Sequence, residues 1–173
     1  MKKKCGLAMA VLHAPELVFL DEPFEGSAQK ELLIVSFVVF KIPEILELLN
    51  KALKRDVSIT CVFESPKESG SKITFQGFDD FDDAILKQIK ILVWDKDMRP
   101  VSTDGKTDTL HAKVAVADRK VSFISSANLT VNAMTMNMEL GVLFYGQDKA
   151  KEIVEHFEQL FTEGILKTRS LSF

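Results

Sequence analysis

Apolar residues follow two alternating rhythms along this chain. Residues 32–40 form a nearly unbroken apolar run rich in Val and Phe, the pattern of a strand covered on both faces. Pro43 then opens a stretch where Ile45, Leu46, Leu48, Leu49, Ala52 and Leu53 recur at helical spacing with charges between them. That spacing predicts an amphipathic helix. Residues 57–63 alternate and are β-branched, and strand, helix and strand in this order predict a parallel, right-handed crossover. A loop rich in Ser, Gly and charge follows over 64–78, then a helix capped by Asp79 or Asp80 and running to Lys90. Residues 91–94 read as a strand and 95–108 as a polar loop. Strands are predicted over 109–117, 121–125 and 136–145, separated by a tight turn at 118–120 and a polar loop at 126–135. A last amphipathic helix covers 147–162, with Ile153, Val154, Phe157, Leu160 and Phe161 on its apolar side. Nearer the start, residues 2–13 have helical composition until Pro15, 17–20 read as a short buried strand and 24–30 as a connector. The fold class that results is α/β, a mixed β-sheet with helices on both faces.

Composition narrows the setting. The chain has 173 residues, 46% hydrophobic and 27% charged, which suits one packed domain. No apolar run approaches the roughly 20 residues of a membrane-spanning helix. The net charge is −3, and no third of the chain is basic, so any nucleic-acid contact must come from a local site. Two cysteines, Cys5 and Cys61, make neither a disulfide framework nor a CxxC metal pair; one is expected as a small core residue in a reducing, cytoplasmic protein. The three lysines at 2–4 and the apolar residues after them imitate a secretory leader. His13 interrupts that stretch, Pro15 follows, and no small-residue cleavage site stands out.

Candidate chemistry concentrates between residues 109 and 145. In an extended strand, alternation turns His111 and Lys113 to one side, and Leu110, Ala112, Val114 and Val116 to an apolar layer on the other. The following strands bring Ser126 and Asn128, then Asn137 and Glu139, toward the same sheet end. A lone strand histidine is ordinarily a satisfied structural residue, and a lone lysine a solvated edge. Here, five polar residue types converge in an apolar region, and a buried His and Lys need such partners.

The joint pattern His111-x-Lys113-x4-Asp118, six residues, Ser125-Ser126-Ala127-Asn128, then Asn137-x-Glu139, resembles the HKD motif of the phospholipase D superfamily. The surrounding wording, LHAKVAVADRKVSFISSANLT and NMELGVLF, is similar to it too. One position departs: Ser125 stands where the family usually has Gly. The resemblance implies a phospholipase D-like domain over residues 30–173 and a metal-independent phosphodiesterase without cofactor. His111 would be the nucleophile that forms a covalent phosphohistidine. Glu139 would accept the other ring N–H, and Lys113, Ser126 and Asn128 would hold the phosphate oxygens. Asp118 would close the motif at the turn. A second histidine is needed to protonate the leaving oxygen, yet the chain carries one motif copy, which implies a homodimer sharing one pocket. Short single-motif members point to a nuclease, with bacterial-defence partner proteins as a possible setting. The other readings are a phospholipase D or phosphatidyl transferase and a non-catalytic dimerisation or binding module. No basic amphipathic helix suggests stable membrane association.

Residues 1–29 read differently. KKKCGLAMAVLHAPELVFLDEPFEG resembles the stretch of ABC-transporter ATPases that ends in the Walker B strand, with Asp21 and Glu22 as its acidic pair. No phosphate-binding loop accompanies it, since the nearest imitation, at 100–107, begins with Pro and leads into a strand. The expectation is an N-terminal remnant, a helix and a short strand, without ATPase activity.

Overall fold

The computed structural model of the chain describes residues 6–10, 29–64 and 81–169, with 6–10 given as backbone only. Among the described residues, ten strands and four α-helices follow in order. They are β1 (Gly6–Ala10), β2 (Glu31–Ser36), β3 (Val39–Phe40), α1 (Pro43–Leu53), β4 (Ser58–Phe63), α2 (Asp83–Leu86) and β5 (Lys90–Trp94). After a 3-10 turn (Lys96–Met98) come β6 (Val114–Ala117), β7 (Val121–Ser125), β8 (Leu129–Thr130), α3 (Val131–Thr135), β9 (Gly141–Tyr145), α4 (Gln147–Thr162) and β10 (Leu166–Thr168).

Eight strands make one mixed sheet in the order β1-β9-β7-β6-β2-β4-β5-β10, while β3 and β8 pair separately. β2 lies at its centre, parallel to β4 (Glu31↔Ser58 through Ser36↔Phe63) and antiparallel to β6 (Leu32↔Ala117 through Val35↔Val114). Its residues divide by parity, as a strand buried on both faces requires. Leu32 and Ile34 join a core with Ile45, Leu49 and Ala52 of α1 and Ile85 of α2, while Leu33 and Val35 join another with Ala150 and Val154 of α4. Helices therefore cover both faces, as expected. The crossover through α1 is parallel as predicted, and Pro43 sits in the first turn of that helix.

The structure departs from the sequence reading where tertiary pairing outweighs local composition. Residues 6–10 are a strand and not part of a helix, paired antiparallel to β9 from Gly6↔Tyr145 to Ala10↔Gly141. That pairing satisfies backbone groups that β9 would otherwise leave at an open edge, and Gly6 is a poor helix former. The 32–40 run is broken at Ser36. Its hydroxyl donates to the Val38 carbonyl at 2.8 Å and accepts the Leu129 N–H at 3.2 Å, so the side chain replaces ladder bonds and the chain turns into β3. The helix expected up to Lys90 is one short turn, α2, capped by Asp82, whose side chain accepts the Ile85 N–H at 2.8 Å. Asp79 and Asp80 lie outside the described residues, as do 17–20 and most of 64–78. The 126–135 loop contains β8 and α3, and β10 was not anticipated. Cys61 is a buried core residue whose thiol burial pushes up to about 12.

Candidate phosphoryl site at the strand ends

β2, β4 and β5 run parallel and β6 runs against them, so the start of β6 lies at their C-terminal edge, where open α/β sheets place ligands. β7 ends and β9 begins at the same edge, because Ser125 pairs with Gly141. The ladders are shorter than predicted. β6 begins at Val114 and β9 at Gly141, so His111, Lys113, Asn137 and Glu139 sit just beyond the paired residues.

Lys113 reaches back to His111 even so. The Lys113 Nζ donates to the His111 carbonyl at 2.8 Å and stands 3.0 Å from the ring Nδ1 and 3.3 Å from Nε2. Lys113 is buried, 8% exposed, whereas His111 is open to solvent. Phe37 forms a wall, with its ring 5.1 Å from the His111 ring and 5.8 Å from the Lys113 ammonium. Burial holds the Lys113 ammonium below the ordinary lysine range, and the Glu139 charge opposes that shift. Ala112, expected in the apolar layer, is exposed instead, while Leu110 and Val116 are in that layer.

Glu139 has other partners than the resemblance implied. It accepts the Ser126 hydroxyl proton in a short hydrogen bond and an Asn137 Nδ2–H at 3.0 Å. Among the described residues it makes no hydrogen bond to His111. Those two donors, and more weakly the Lys113 charge, hold its carboxyl below the usual range despite partial burial. Ser126 also accepts the Leu140 N–H at 3.1 Å, and its own N–H donates to the Leu140 carbonyl at 3.0 Å. Its hydroxyl proton is thus engaged with Glu139 and not turned to an open phosphate pocket. Ser125, where the family has Gly, folds back to accept the Ala127 N–H at 2.9 Å. Asn128 is half-buried, and its Oδ1 is buried with no hydrogen-bond partner among the described residues.

Asp118 is not part of this cluster. It lies at the other end of β6, in a left-handed turn with φ 51°, and its carboxylate accepts the Lys30 and Glu31 N–H groups at 2.8 and 2.9 Å. It anchors the start of β2. Phe37 was missed because nothing in an apolar run marks one phenyl ring as a histidine's neighbour. Asn137 entered the sequence reading through its strand face and the Asn137-x-Glu139 part of the motif, but its bond to Glu139 was not read from either.

A cavity of about 530 Å³ opens beside the cluster, lined by His111, Lys113, Val114, Ile124, Ile153 and Phe157 among others. Among the described residues, no three His, Cys, Asp or Glu side chains are grouped to hold a metal ion, and no helix is long and apolar enough to cross a membrane.

A mixed α/β sheet that gathers His-x-Lys, Ser-x-Asn and Asn-x-Glu at one strand edge defines the phospholipase D-like class. A family model described as "Cardiolipin synthase, PLD-like domain" matches residues 26–161, and the chain belongs to the phospholipase D superfamily. The fold is similar to that of NucT from Helicobacter pylori, with a TM-score of 0.71 and 16% identity, over 92% of this chain and 97% of that one. Among curated proteins, cardiolipin synthase 1 of Staphylococcus epidermidis is 29% identical over 62 residues, 36% of this chain and 13% of that protein. The DISARM protein DrmC of Bacillus paralicheniformis is 46% identical over 39 residues, 22% of this chain and 16% of that protein. These matches therefore span only a small part of either curated relative.

Proposed function

We propose that the chain is a phosphodiesterase that cleaves nucleic acid without a metal ion, through a phosphohistidine at His111. The observation that carries this reading is the buried Lys113 ammonium held against both ring nitrogens of an exposed histidine. A phosphodiester resists attack because its oxygens are anionic, and a cation fixed in a site of reduced dielectric offsets that repulsion. A His111 ring nitrogen forms a bond to phosphorus while the bond from phosphorus to the leaving oxygen breaks, and an acid donates a proton to that oxygen. Water then attacks the phosphohistidine, giving its proton to the same group, and the P–N bond breaks. Asn128 supplies a further donor to the phosphate oxygens. Substrate entry frees Glu139 from Ser126 to take the second ring N–H of His111, which fixes the tautomer.

The acid in this reading is His111 of a second copy. Met136, Met138 and Leu140 bracket Glu139 and are 80%, 97% and 54% exposed, an apolar rim that a second copy would cover. The lipid reading, favoured by the cardiolipin synthase likeness, gains no basic docking face from α4, whose exposed side pairs Lys149 with Glu152 and Lys151 with Glu155. The DrmC likeness favours a setting in bacterial defence, with partner proteins as part of this reading. The test is a panel of plasmid, single-stranded oligonucleotide, RNA, bis(p-nitrophenyl) phosphate and phosphatidylglycerol, all in EDTA. Nucleic-acid cleavage that survives chelation is expected. Activity only with added magnesium, or on the lipid alone, would contradict the reading.

A further inference from the structure

The backbone that carries His111 has left the sheet. β6 pairs from Val114 onward, and residues 108–113 make no ladder with β2. Past the ladder end, a bond from the Ser125 N–H to the Lys113 carbonyl at 3.1 Å fixes Lys113, but it does not reach the residues before it. Leu110, immediately before His111, donates its N–H to the Glu64 Oε2 at 2.8 Å. Glu64 lies just beyond β4, and its carboxylate is held in two-pronged fashion by Arg99, at 2.8 Å to Oε1 and 3.0 Å to Oε2. Neither side chain has any solvent exposure. The same guanidinium donates to the Trp94 carbonyl at the end of β5, at 2.7 and 3.2 Å, and to the Asp108 carbonyl at 2.9 Å.

We infer that the buried Glu64–Arg99 pair positions the reactive histidine, an inference that rests on the role proposed above for His111. It clamps the ends of β4 and β5, Asp108 and Leu110 into one rigid corner. A fully buried ion pair is a poor way to gain stability, because desolvation offsets much of the attraction and a well-packed apolar pair often serves as well. What an apolar pair cannot do is accept the Leu110 N–H. Nor can it hold the Trp94 and Asp108 carbonyls in one geometry, as a planar guanidinium does. A misplacement of about 1 Å at a reacting atom costs on the order of a hundredfold in rate, so a firm acceptor one residue before the nucleophile bears directly on turnover. Glu64 and Arg99 touch no substrate and are positioning residues.

The test uses the full chain with bis(p-nitrophenyl) phosphate as probe and His111→Ala as the control. Glu64→Leu/Arg99→Met removes both charges together. Its melting temperature should fall, because the Leu110 N–H and the Trp94 and Asp108 carbonyls lose their partners, while in the folded protein kcat falls at least tenfold, KM moves little, and the Leu110 amide exchanges its hydrogen faster. Glu64→Gln/Arg99→Met restores an uncharged acceptor and should recover part of kcat. Glu64→Asp keeps the charge pair, so it remains informative should the apolar pair not fold, and it should lower kcat with KM nearly constant. Unchanged kcat in a folded Glu64→Leu/Arg99→Met or Glu64→Asp protein, with His111→Ala inactive, would overturn the positioning role alone. Turnover by His111→Ala would instead overturn the proposed function.

Discussion

The two ends of β6 are both polar, and they are organised in opposite ways. At the far end, Arg119 reaches the Glu31 carboxylate with two bonds of 3.0 Å and Glu158 with bonds of 3.0 and 2.5 Å, while Asp118 takes two backbone N–H groups. Arg119 is pushed up and Glu158 down, each by the other's hydrogen bonds first. Arg119, Glu31, Glu158 and Asp118 all have partners there. At the near end, Lys113 is buried without a carboxylate in contact, His111 stands in solvent and the Asn128 carbonyl oxygen has no partner among the described residues. A saturated network stabilises, while an unsaturated one awaits a ligand that brings what is missing. A phosphate would bring Lys113 an anion in direct contact, beyond the longer-range charge of Glu139, whereas the Asn128 oxygen lacks a donor.

The largest separation between the two ends comes from truncating one residue in each. His111→Ala should abolish turnover with the melting temperature unchanged. Arg119→Ala should keep kcat within about twofold and cost on the order of 1 kcal/mol of stability, since its pairs are partly exposed. Activity assays beside thermal melts decide the matter, and the comparison fails if both variants lose the same property.

Lys113→Ala comes next. It removes a charge-assisted contact of roughly 1.5–3 kcal/mol before any gain in the transition state, so a loss of about a hundredfold or more in kcat/KM is expected. The ammonium must be protonated to hold phosphate, and burial lowers its pKa. Activity should therefore fall as pH rises through a limb below the ordinary lysine range. Glu139→Gln should be milder in rate, because it keeps an acceptor oxygen. It should nonetheless move that limb further down, because it removes the charge that counters burial. A limb that stays put in Glu139→Gln would show that the two groups do not feel each other.

Asp118→Ala should show the smallest effect on rate. It leaves the Lys30 and Glu31 N–H groups without their acceptor where water can reach them, at about 1 kcal/mol, and kcat should not change. A clear drop in kcat without loss of stability would return Asp118 to the site.

How far these features were legible in sequence depends on the range of the interaction involved. The β2–α1–β4 crossover and α4 were legible because their apolar periodicities match their buried faces. The His111–Lys113 pairing was legible from the motif spacing, although the alternation used to read it stops at the ladder end, where Ala112 is exposed like His111. The β1 strand was not, since residues 2–13 carry helical composition and only the open backbone of β9 decides otherwise. The partners of Glu139 were not legible either: Ser126 reaches it only because β7 ends where β9 begins. Asp118 lies next to the motif in sequence but a strand's length away in space. Glu64 and Arg99 stood in two segments that read as polar loops, and charge there looks like solvation until the fold buries it.

The most direct measurement is to quench the reaction in EDTA during turnover of a labelled oligonucleotide and locate the covalent adduct by peptide mass spectrometry. A phosphoryl adduct on the peptide containing His111, absent in His111→Ala and scarce in Lys113→Ala, is the expected result. Cleavage at full rate with no adduct on that peptide, or with an adduct on another residue, would contradict it.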